Sequence, residues 1–166
     1  MTPVKKSPRM SAGLLMHRVS SAAGRLEVLL VHPGGPFWAR KDAGAWSIPK
    51  GEWEPDDGDL RSVAVREFVE EIGVAPPVGE LAALGEVRQA GGKVVTAFAL
   101  AGDVDLSGFR SNTFSMEWPP HSGVQQEFPE VDRAEWFSLE EARARLNPAQ
   151  AEFLDRLLET RDDTPI

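Results

Sequence analysis

The sequence predicts a single mixed α/β domain, and three observations carry that expectation. The chain has 166 residues of which 42% are apolar, enough for one well-buried core and too few for two. Several short apolar and β-branched segments are separated by Gly, Pro and Asn clusters, the pattern of strands and turns. One stretch, residues 59–72, instead carries Val65, Phe68, Val69 and Ile72 at helical spacing, with Gly73 placed to end the helix. Residues 1–9, MTPVKKSPR, are polar and basic and read as a frayed tail, which leaves residues 10–162 as the domain.

Taken in order, residues 10–19 and 26–31 read as strands that pair as a hairpin across the turn-like Ala22-Ala23-Gly24-Arg25. A glycine-rich loop over residues 33–45 follows, and a short strand at residues 46–48 leads to Gly51. Glycine pairs free backbone N–H groups for phosphate, but no GxxxxGK[ST] is present, so a P-loop is excluded. Arg40 and Lys41 in this loop are candidate anion contacts, weighed against plain surface charges. After the helix, Ala75-Pro76-Pro77-Val78 breaks the chain, and residues 84–89 and 93–100 read as an antiparallel pair joined by Ala90-Gly91-Gly92. Residues 109–126 read as irregular and long enough for a functional loop. A strand at residues 133–137 precedes two helices. Ser138 with Glu141 forms a capping-box pattern for residues 139–145, and Asn147 caps a last helix from Pro148 to about Thr160.

The chemistry concentrates on the central helix. At about 100° per residue, Glu67, Glu70 and Glu71 share one arc, so three carboxylates point the same way. An acidic face is ordinarily only a solvated one, and like charges this close repel. A hard cation such as Mg²⁺ or Mn²⁺, which takes oxygen ligands, turns that repulsion into coordination.

The run Arg66-Glu67-Phe68-Val69-Glu70-Glu71-Ile72-Gly73-Val74 matches R-E-U-x-E-E-x-G-U, with U a bulky apolar residue, at every specified position. It resembles the second half of the Nudix box. Gly51 and Asp57 stand at the mutual distance of the glycine and upstream acid of that box, but the acid is Asp rather than Glu and the Arg-Glu pair arrives one residue late. A one-residue insertion in the loop is expected to leave the glutamate-bearing turns intact and to displace Asp57 from Arg66. Outside the box, Ser11-Ala12-Gly13-Leu14-Leu15, Trp46-Ser47-Ile48-Pro49-Lys50-Gly51-Glu52 and Glu127-Phe128-Pro129-Glu130-Val131-Asp132 look like a bacterial, MutT-like Nudix subgroup. The resemblance spans roughly residues 10–160.

That resemblance implies an α/β/α sandwich around a central mixed sheet, and hydrolysis of a nucleoside diphosphate linked to another group. By it, Glu67, Glu70 and Glu71 are ligands of Mg²⁺ or Mn²⁺, with the Lys50 carbonyl as a further one. Arg66 is expected to orient a ligand carboxylate, and Gly51 to let the loop approach the helix. The general base is a box glutamate such as Glu67 or Glu70, or a loop glutamate, Glu127 or Glu130. Arg40, Lys41, Lys50 and Trp46 are substrate-binding candidates, with Trp38, Trp53 and Trp118 as further stacking partners. A non-catalytic nucleotide-binding regulatory module is the alternative, and retention of all three helix glutamates favours the enzyme.

The formal net charge of −8 argues against stable binding to DNA, so an anionic substrate must be met by metal ions and a few basic residues. Cys is absent, which excludes disulfides, thiolate zinc and a thiol nucleophile. No apolar run is long enough for a membrane span. The expected setting is cytoplasmic, as a monomer or homodimer acting on a nucleotide-type small molecule.

Overall fold

The computed structural model describes residues 9–22 and 24–162. The expected tail lies outside them except for Arg9, whose carbonyl accepts a hydrogen bond from the Val94 amide at 2.9 Å. Ala23 of the expected turn lies outside them as well. Beside it, Ser20 and Arg25 close the connection, with the Ser20 amide donating to the Arg25 carbonyl at 2.7 Å.

The first strand, β1 (Met10–Val19), is buried along nearly its whole length, and it occupies the middle of the sheet with both faces covered. It pairs antiparallel with β2 (Leu26–Pro33) near its end and with β3 (Lys50–Trp53) near its start, and parallel with β5 (Val94–Ala101) along its other edge. β4 (Ala82–Arg88) extends the sheet beyond β5, and β8 (Val131–Ser138) extends it beyond β2, giving the order β4-β5-β1-β2-β8 with β3 beside β1.

Alternation along these strands divides the core in two. Leu15, Val28, Leu30, Val95 and Ala97 face α2 (Leu139–Arg145) and α3 (Glu152–Asp162). Leu14, Met16, Leu29 and Phe98 face α1 (Leu60–Ile72). Helices thus cover both faces of a mixed sheet, the α/β/α sandwich that the resemblance implies. Among the described residues no helix is long and apolar enough to cross a membrane.

Asp59 caps α1 by accepting from the Arg61 amide, and Gly73 ends it at φ 80°. The apolar stripe is rotated from the expected one. Val63, Ala64, Phe68 and Ile72 are buried, whereas Val69 is 40% exposed. The row Ala64-Phe68-Ile72 sets the contact with the sheet, and that rotation carries Glu71 inward while Val69 turns out.

Two further expectations are corrected. Residues 46–48 are not a strand; Ser47 and Trp46 make isolated bridges to Val31 and Leu146, and regular pairing starts only at Lys50, past Pro49. The segment 109–126 is not irregular throughout. β6 (Thr113–Glu117) and β7 (Gln125–Pro129) form an antiparallel ribbon apart from the main sheet. Each strand buries little beyond one side of itself, so the sequence lacks the apolar density that marks core strands; Phe114 opposite Phe128 holds the pair, their rings 6.0 Å apart. The last helix begins as a 3₁₀ turn, Pro148–Ala151, capped by Asn147, before α3.

Candidate active site

Close approach of β3 to α1 builds the site. Ala12 pairs with Gly51 and Gly13 with Lys50, and a Cβ on Gly13 would collide with the Pro49 carbonyl. A Cβ on Gly51 would overlap the Glu67 carboxylate itself. Both glycines are therefore spacers, required because backbone and carboxylate occupy the space of a side chain.

Glu71 is only 7% exposed, and its Oε1 accepts from the Lys50 amide at 2.8 Å. Burial pushes its carboxyl up to about 8, reinforced by the charges of Glu130 and Glu67 and opposed by Lys50. Burial likewise pulls the Lys50 ammonium down to about 8, with Lys93 beside it. The Glu67 carboxyl is raised by burial first and by Glu70 second. Glu67 thus lies within electrostatic reach of both Glu70 and Glu71, in keeping with their shared helical arc.

Arg66 bridges two carboxylates, its guanidinium 3.4 Å from Asp57 and 3.4 Å from Glu67. The expected separation of Asp57 from Arg66 is overturned. With it falls the account in which an extra loop residue displaces Asp57: a 3₁₀ turn at Pro55–Asp57 followed by Gly58 at φ 80° brings Asp57 back to the helix. The Trp53 indole N–H fixes this turn by donating to the Gly58 carbonyl at 2.8 Å.

The far wall comes from the segment after β5. Gly73 leaves the helix in contact with Arg110, whose amide donates to the Ile72 carbonyl at 2.8 Å. The Asn112 amide donates to the Glu70 carbonyl at 2.9 Å, and the Glu130 amide to the Asn112 carbonyl at 2.8 Å. Through these links Glu130, at the β7–β8 junction, stands over the glutamates: burial and the Glu70 charge raise its carboxyl. Glu130 and Glu127 both line a cavity of about 380 Å³ together with Arg110, Ser111, Asn112 and Thr113. The sequence pointed to the two glutamates but not to Arg110 or Asn112; the only signal for them was their place in a long polar segment.

Trp46 is not a stacking surface. It is 0% exposed, edge-on to His32 and Phe137 at 5.2 and 4.9 Å, with its N–H donating to Asp42. Lys41 lies at the surface with its ammonium 5.0 Å from the Trp38 ring, and its carbonyl is 2.6 Å from His32 Nε2. Arg40 is exposed on the same loop. The contacts of this loop run to His32, α2 and the β6–β7 ribbon, where Phe37 meets Trp118, rather than to the glutamate helix. Trp53 is engaged with Gly58. Of the proposed substrate contacts, only Lys50 is brought to the carboxylates.

Among the described residues no three Asp, Glu, His or Cys side chains already converge as a coordinating group. Two carboxylates are turned to protein partners, Glu67 to Arg66 and Glu71 to the Lys50 amide. The donor set still suits a hard divalent cation, because it is made of carboxylate oxygens alone and gathers three of them on one helical arc.

A family model described as NUDIX domain matches residues 8–157. The fold is similar to the Nudix domain of Shewanella oneidensis NrtR, solved as a complex with ADP ribose (TM-score 0.62, 17% identity, 95% of this chain and 90% of that one). It is also similar to a C. elegans Ap4A hydrolase (TM-score 0.61, 20% identity, 93% and 99%) and to the MutT protein of Methanosarcina mazei Go1 (TM-score 0.59, 20% identity, 98% and 100%). Among curated proteins, none matches significantly.

Proposed function

The chain belongs to the Nudix family of hydrolases, and from that premise we propose that it cleaves a pyrophosphate bond in a nucleoside diphosphate linked to another group, with Mg²⁺ or Mn²⁺. The observation that carries this reading is the closure of Gly51 onto Glu67 beside the buried Glu71, which gathers the box carboxylates against the β3 backbone. Glu67, Glu70 and Glu71 would hold the cation, which when bound neutralises diphosphate charge and acidifies a water. The Lys50 amide orients Glu71, and Arg66, steadied by Asp57, orients Glu67. Glu130 is the general base in this reading, because it reaches the helix carboxylates electrostatically and is already shifted toward holding a proton. Glu127 lines the same cavity.

Incubating the protein with Mg²⁺ and a panel of nucleoside triphosphates, dinucleoside polyphosphates, ADP-ribose and 5′-capped RNA tests this directly. Phosphate release and product chromatography should reveal cleavage between phosphates that stops on chelation. Binding of a nucleotide with no product from any of them would replace the hydrolase by the regulatory module.

A further inference from the structure

We propose that Arg110 is the arm that binds the phosphates of the substrate from the side opposite the box glutamates. The proposal rests on the hydrolase reading for its substrate, and on geometry for its residue. Arg110 lines the cavity shared by Glu127 and Glu130, yet among the described residues its side chain makes no ion pair or hydrogen bond. Most other arginines near acids are paired; Arg18, Arg66, Arg143, Arg145 and Arg156 each hold a carboxylate. An exposed guanidinium with no protein partner at the cavity wall is available to an anion from outside, and its planar fork suits a phosphate in bidentate fashion.

Its backbone is fixed where such a group would need to be. The Arg110 amide is bonded to the Ile72 carbonyl, Asn112 is bonded to both Glu70 and Glu130, and the Val131 amide donates to Ser111 Oγ at 3.2 Å. The backbone at residue 110 is therefore held against the C-terminal turn of α1, the same turn that carries Glu70 and Glu71. A diphosphate held between the glutamates and Arg110 would be gripped at both ends, which is what holding a reacting phosphate in line requires.

The test titrates ADP and inorganic pyrophosphate calorimetrically in Mg²⁺ buffer into the wild type, Arg110→Ala, Arg110→Lys and, as a control, Arg25→Ala in the exposed β1–β2 turn. Binding of Mn²⁺ alone is followed in parallel by electron paramagnetic resonance. Arg110→Ala should weaken ADP about tenfold or more, as loss of a charge-assisted hydrogen bond does. It should raise KM for whichever nucleotide is hydrolysed more than it lowers kcat, and leave Mn²⁺ affinity unchanged. Arg110→Lys should recover part of the loss. Unchanged ADP binding in Arg110→Ala overturns the proposal, as does an equal loss in Arg25→Ala, which would mean diffuse charge, or a wild type that binds neither ligand. A wild type that binds ADP through Arg110 but hydrolyses no nucleotide supports the arm and removes the hydrolase reading alone.

Discussion

Glu71 shows how one side chain is given its chemistry by position. A carboxyl 7% exposed beside Glu67 and Glu130 is pushed up to about 8 by burial, and it accepts a hydrogen bond from the Lys50 amide. Replacing Glu70 or Glu71 by Gln should lower kcat by about 10²-fold or more without unfolding the chain, whereas the same change at Glu54, on the exposed loop, should leave steady-state rates near wild type. Asp57→Ala should lower kcat by about 10- to 100-fold, because the residue supports Arg66 and through it Glu67. His17 provides a pH test remote from the site. Burial first, and Arg161 second, lower its folded value below 6.5, so the unfolded chain binds the extra proton more readily. The stability tied to neutral His17 is fully present above pH 6.5 and is lost as pH falls through the folded value. Denaturant titrations from pH 7.5 to pH 5 should show the wild type losing stability relative to His17→Gln; parallel curves would sink this assignment.

At the scale of elements, the contact of β3 with α1 is the part that tolerates least. Gly51→Ala should abolish most activity, since the added methyl occupies the place of the Glu67 carboxylate, while circular dichroism keeps the signature of the fold. Deleting Gly58 restores the family spacing of the box but removes a residue that the local fold uses. Gly58 at φ 80° returns Asp57 to Arg66 and offers its carbonyl to Trp53, so the deletion should lower activity at least as far as Asp57→Ala does. Kinetics of the two variants side by side check the order. The β6–β7 ribbon has a related role: held by Phe114 against Phe128, it leads directly into Glu130, whose amide is tied to the Asn112 carbonyl.

For the molecule as a whole, the repulsion gathered around α1 links stability to ligand. A cation bound by the folded site and not by the unfolded chain raises stability by mass action. The melting temperature should therefore rise with Mg²⁺ or Mn²⁺ concentration and fall back with excess EDTA, and activity should follow the same reversal. The rise should shrink in Glu70→Gln. A melting temperature indifferent to both ions would remove the metal-binding reading.

What the sequence determined by itself was local or periodic. The helical spacing of residues 59–72 with Asp59 and Gly73 at its ends, the strand at residues 10–19, and the Ser138 and Asn147 caps all reside in a few neighbouring residues, and each is realised in the fold. The placement of Glu67, Glu70 and Glu71 on one arc was equally legible, because three positions on a helix fix their mutual angle. Tertiary structure alone decided the rest. Whether Glu71 or Val69 turned inward depended on which row of α1 met the sheet; whether Trp46 was a platform or a core residue depended on β8 and α2 closing over it; whether Asp57 reached Arg66 depended on a positive φ at Gly58. Arg110 and Asn112 entered the site through hydrogen bonds to Ile72 and Glu70 of a helix far earlier in the chain, and separations of that kind leave no periodic trace in a sequence.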